Sequence, residues 1–141
     1  MDQTPILNIQ NLRVAFKSNT GLNEVLHGIS YDLFPNEILG IVGESGSGKS
    51  VASLAIMGLL PPKKSVVSAG EILFKNENLL HYSQKELEAL RGQKIGMIFQ
   101  EPMSALNPSM SCGAQVEELL FQHTSLSKKE VKDKVIQLFN E

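Results

Sequence analysis

A single cysteine, no long apolar run and almost no charge imbalance set the first limits on this chain of 141 residues. Cys112 stands alone, which excludes an internal disulfide framework and a cysteine zinc site, and a reducing compartment fits it best. Lys and Arg total 13 against 15 Asp and Glu, a net charge of −2, so no positive field recruits nucleic acid or an anionic lipid surface. The longest apolar stretch, Val51 to Leu60, is interrupted by Ser53 and Gly58 and closed by Pro61 and Pro62. It falls well short of the roughly twenty residues that span a bilayer. Met1 to Leu12 lacks the basic start and apolar centre of a signal peptide, and Asn107 is spoiled as a glycosylation acceptor by Pro108. These absences predict an intracellular soluble chain that reaches a membrane only through a partner. With 42% hydrophobic and 20% charged residues, and Gly and Pro near average, what remains is one globular domain of ordinary size.

The pattern along the chain alternates between the two periods. Residues 6–16 and 24–34 read as half-buried strands around a turn at Asn19 to Asn23. EILGIVG at 37–43 is a short apolar run of the kind found in strands buried on both faces, and KIGMIF at 94–99 is another. A helix is expected over 49–60, ended by Pro61, and a strand over 70–75 with a turn at Asn76 to Asn78. Ser83/Glu86 and Ser127/Glu130 carry capping-box spacing, and Gly92 sits where the first of those helices would stop. A helix from Cys112 to His123 precedes a last one whose Val131, Val135, Leu138 and Phe139 share a face. That last helix meets Glu141 without a stop signal, so the expectation is an α/β chain whose end is cut.

Between the run at 37–43 and the helix after it stands Gly43-Glu44-Ser45-Gly46-Ser47-Gly48-Lys49-Ser50, which satisfies G-x-x-x-x-G-K-[ST] at every fixed position. The chemistry requires each residue type. Backbone N–H groups can wrap a phosphate chain only where side chains at Gly46 and Gly48 do not block it, and the helix that follows aims its positive end at the same place. Lys49 then neutralises β- and γ-phosphate charge, and the Ser50 hydroxyl can ligate Mg²⁺. A hydrolase of this kind also needs an apolar strand ending in an Asp that holds Mg²⁺. Here the run Ile95 to Phe99 ends in Gln100-Glu101, Asp32 closes a poor strand, and Asp133 lies inside a helix. That Asp is missing.

GIVGESGSGKS at 40–50, together with MIFQEPMSALNP at 97–108, resembles the ATP-binding subunit of ABC transporters, especially the oligopeptide/dipeptide importer group. LRVAF at 12–16 and AGEILF at 69–74 sit where that family has them. The resemblance implies the N-terminal part of an ABC-type P-loop domain: antiparallel β strands over 1–36, a P-loop core over 37–100, and the Q-loop with the start of a helical subdomain over 101–141. It implies ATP and Mg²⁺ as cofactors. Nucleotide contacts would fall to Phe16, stacked on adenine, to Gly43, Glu44, Ser45, Gly46, Ser47, Gly48, Lys49, Ser50 and Val51, and to Gln100, with Mg²⁺ at Ser50 and Gln100. It further implies a second ATP-binding domain, the same or different, as partner, and transmembrane permease subunits met through 101–108. The setting is the cytoplasmic face of the cell membrane, without insertion. Oligopeptides, dipeptides or nickel would all be compatible as transported solute.

Several family elements are not in this sequence. LSGGQ is absent, and Leu126-Ser127-Lys128-Lys129-Glu130 lacks its glycines. The strand-end Asp, the adjacent catalytic Glu and the switch His are absent too, so the 141 residues alone are expected to bind nucleotide weakly and hydrolyse none. A non-hydrolytic nucleotide-binding or regulatory module is the alternative reading. His27, His81 and His123 have no ligand spacing, Cys112 is expected to be at least half-buried, and Lys128 to Lys134 read as a solvated helix face.

Overall fold

A computed structural model describes residues 4–101 and 106–141, and the chain divides into two compact units, Met1–Leu87 and Glu88–Glu141. The first is built on an antiparallel sheet. Strand β1 (Leu7–Ser18) pairs along one side with β2 (Gly21–Leu33) and along the other with β3 (Ser65–Phe74), and the short β4 (Glu77–Asn78) gives the order β2-β1-β3-β4. Strand β1 gives the core its largest share: Leu12 and Val14 are fully buried and Ile9 nearly so, with Ile72 on β3 and Leu26 on β2 also buried.

Ile9 and Leu12 are three apart, and strict alternation would send them to opposite faces. A bulge restores the phase. Asn11 takes a left-handed backbone (φ 46°), its N–H donates to Ser30 Oγ at 2.8 Å, and both pairings of β1 shift register there. The flanking strands meet this bulge with glycines. A Cβ on Gly70 would lie 2.4 Å from Asn11 O and 2.5 Å from Gln10 O, and one on Gly28 would lie 2.5 Å from Asn11 Oδ1.

β3 begins at Ser65, five residues before the expected start, because Val66 and Val67 continue the pairing with Ala15 and Val14. The turn after it is Lys75-Asn76, both at positive φ, so Glu77-Asn78 folds back as β4 instead of forming the turn itself. Asn78 Oδ1 then caps the 3₁₀ turn Leu79–His81 by accepting from Leu80 N–H at 3.1 Å.

Helix α1 (Lys49–Ile56) is shorter than the expected 49–60. Gly58 (φ 61°) donates to Ala55 O at 3.0 Å and Leu59 to Leu54 O at 2.8 Å, a glycine stop that ends the helix before Pro61 is reached. The two expected buried strands do not form. Residues 37–43 and 94–99 carry no ladder, with Ile38 97%, Val42 94% and Ile98 88% exposed. A strand buried on both faces needs neighbours on both edges, and none of the described strands pairs with either run.

Helix α2 (Gln84–Leu90) starts at the Ser83/Glu86 box, with Ser83 N–H donating to Glu86 Oε2 at 2.7 Å, and the chain turns at Gly92 (φ 79°). In the second unit α3 (Cys112–His123) packs on α4 (Lys128–Asn140). Ser127 and Glu130 close a full capping box, and Val131 and Val135 are buried. Leu138 and Phe139 are exposed, so the apolar face is covered over only its first half. Cys112 is exposed as well: it is the first residue of α3, where the side chain clears the helix behind it.

Candidate phosphate-binding site

The glycine loop occupies 43–48 and opens directly into α1. Gly48 is the N-cap, held at φ 90°, and its backbone lies so close to β2 that an added Cβ would sit 2.5 Å from Leu26 Cδ2 and 3.3 Å from Val25 O. That closeness seats the loop on the sheet. Gly46 (φ 84°) instead faces open space, so the approach to its backbone is clear. A Cβ at Gly43 would meet Ser47 Oγ at 2.7 Å.

Lys49 folds back across the loop. Its ammonium donates to Gly43 O at 2.6 Å, Glu44 O at 2.7 Å and Ser47 Oγ at 3.2 Å, which fixes a positive charge at the loop's mouth. The start of α1 has no side-chain cap and no acidic residue in its first turn, so nothing in the helix competes with an anion for its N-terminal amides. Ser50 is exposed in that first turn and Val51 is half-buried behind it. Ala52 and Ala55 are the buried residues of α1, and such small side chains let the helix lie close to β2. A pocket of about 370 Å³ opens beside Gly48 and Lys49, walled by Leu26, Ile29 and Tyr31 of β2 and by Ile41 and Val42. Burial pushes the Tyr31 phenol above its ordinary 10.0, and the residues of this wall are mainly apolar.

Loop glycines, Lys49, Ser50 and Val51 are therefore gathered at one helix start. Phe16 lies in the same unit, half-buried on β1 between Asn23 and Ser65, and is not part of the pocket wall. Gln100 and Glu101 belong to the second unit and are exposed; Pro102 to Ala105 of the expected permease-facing loop lie outside the described residues. Sequence reasoning missed the contact of Gly48 with Leu26 and the bulge at Asn11, although Gly28 and Gly70 inside strand patterns carried a signal. Among the described residues no helix is long and apolar enough to cross a membrane, and no cluster of His, Cys, Asp or Glu is placed to hold a metal ion.

A glycine loop seated on a sheet and feeding a helix start defines a P-loop domain. Residues 26–141 match the family model described as ABC transporter, and the chain belongs to that family. It is 47% identical over 135 residues to the dipeptide transport ATP-binding protein DppD of Bacillus subtilis, covering 96% of this chain and 40% of that protein. Against the oligopeptide transport ATP-binding protein OppD of the same organism it is 44% identical, covering 96% of this chain and 38% of that one. The chain thus spans about two fifths of the length of these curated relatives. In fold it is similar to the dimeric ATP-binding cassette MJ0796 bound to ADP and Pi, with a TM-score of 0.78, 24% identity, and coverage of 93% of this chain and 54% of that one.

Proposed function

We propose that these residues form the phosphate-binding portion of the ATP-binding subunit of a peptide importer. The observation that carries the reading is the loop itself: a complete G-x-x-x-x-G-K-[ST] motif, with its last glycine packed on Leu26 and its lysine ammonium across the mouth. The similarity to two peptide-transport ATP-binding proteins supports the choice of solute class.

In this reading the amides of Gly46 to Ser50 and the start of α1 bind the phosphate chain. Lys49 exchanges its carbonyl partners for phosphate oxygens and stabilises charge that develops on the transferring group. Mg²⁺ would supply further neutralisation of phosphate charge. The exposed hydroxyl of Ser50 would hold the ion at the start of α1, and Gln100 is proposed as a further ligand on the resemblance of 97–108 alone. Phe16 stacks on adenine. The full protein pairs two such domains and meets its permease subunits through 101–108, at the cytoplasmic face of the membrane. In this reading these 141 residues bind nucleotide without hydrolysing it.

Calorimetric titration with Mg-ATP tests this. Binding by the native chain should weaken about a hundredfold in Lys49→Ala, from the loss of a charge-assisted contact of about 2–3 kcal/mol. Equal affinity in both proteins would remove Lys49 from the site. No binding by a folded native chain would sink the proposal, while tight binding without turnover in a longer chain would favour the non-hydrolytic module.

A further inference from the structure

Leu106 to Ser111 lead into α3 without strand or helix of their own, and one side chain from the helix holds them at three points. Gln115 Oε1 accepts from Asn107 N–H at 3.0 Å, while its Nε2 donates to Asn107 O at 3.2 Å and to Met110 O at 3.3 Å. Asn107 tightens the same turn through its own Oδ1, which accepts from Ser109 N–H at 3.0 Å and Ser109 Oγ at 2.7 Å. The backbone contributes Met110 N–H to Asn107 O at 3.2 Å. Gln115 is half-buried in the first turn of α3, and both of its amide hydrogens and its carbonyl are committed to this one segment. Holding a flexible side chain in that single arrangement costs rotamer entropy, which three directed contacts offset and a packing contact alone would not.

We infer that Gln115 is a positioning residue that locks Leu106 to Met110 onto α3, so that a push on this loop moves the helix with it. The inference rests on the importer reading above, in which the loop is part of the surface met by the permease. The role assigned to Gln115 is exerted through its contacts with Asn107 and Met110.

The test uses the full-length subunit assembled with its membrane subunits in vesicles, comparing the native protein with Gln115→Met and Gln115→Glu. The methionine keeps the shape and loses all three contacts; the glutamate keeps the acceptor for Asn107 N–H and loses both donors. Hydrolysis stimulated by the membrane subunits should fall about tenfold in the methionine variant and by less in the glutamate variant, with Mg-ATP affinity unchanged in both. Hydrogen exchange at the Asn107 amide should quicken about tenfold in the methionine variant. Native-like stimulation in Gln115→Met, or a fall in Mg-ATP affinity matching the fall in hydrolysis, would overturn the inference, since the first denies the coupling role and the second indicates general damage. Unchanged exchange at Asn107 would overturn the lock itself. A native subunit that binds no nucleotide, or shows no stimulation by its membrane subunits, marks failure of the importer reading separately; the Asn107 exchange then still decides whether the lock exists.

Discussion

β1 and the run at 37–43 each carry four Ile, Leu or Val residues, yet Leu12 and Val14 are fully buried whereas Ile38 is 97% and Val42 94% exposed. Their side chains do not account for the difference. β1 has a partner on each edge, and pairing on both sides brings the apolar faces of its neighbours against its own. The run at 37–43 has no partner among the described strands, and Ile38 and Val42 stay in water. Burial is thus a property of the neighbourhood, and hydrophobic content is only the condition for it.

The largest effect that would break this comparison is a core deletion in β1. Leu12→Ala should cost about 2–5 kcal/mol, read by denaturant unfolding, because the cavity cannot collapse between two paired neighbours. Ile38→Ala in the same 141-residue chain should lie within about 0.5 kcal/mol of native. In a longer chain that supplies strands beside 37–43, the Ile38 substitution should become a core deletion. An equal cost at both positions in the short chain would mean that the run is buried in solution.

The smallest effect concerns helices that owe their starts to local chemistry alone. The Ser127 hydroxyl and amide hold the Glu130 carboxyl below its ordinary 4.5, and Ser83 does the same for Glu86. A carboxyl whose folded value is depressed stabilises the fold above its unfolded value, and that contribution is lost as pH falls through the lowered one. Far-UV circular dichroism of the native chain should therefore show helix loss as pH falls below the ordinary carboxylate value. Ser127→Ala should flatten the part owed to α4, and an unaltered acid profile in that variant would separate the box from helix stability.

The same distinction explains what was legible in the sequence. Local chemistry was readable: the glycine loop and its Lys49, a helix from about Cys112 to His123, and both capping boxes depend on neighbours in sequence. Non-local facts were not. The expected strands at 37–43 and 94–99 failed because pairing lies outside either run. Cys112, a residue type usually buried, is exposed by its place at a helix start. The bulge at Asn11 and the lock by Gln115 join residues that no spacing rule connects, although the glycines facing the bulge hinted at the first. At the end of α1, the stop at Gly58 overruled the more conspicuous Pro61 because a left-handed glycine ends a helix before the proline is reached.

Whether the loop between residue 43 and the start of α1 grips phosphate through its backbone can be read from amide chemical shifts of isotope-labelled chain during titration with Mg-ADP. The largest changes should fall at Gly46, Gly48, Lys49 and Ser50 and be lost in Lys49→Ala. Changes that spare these amides while appearing elsewhere would contradict it.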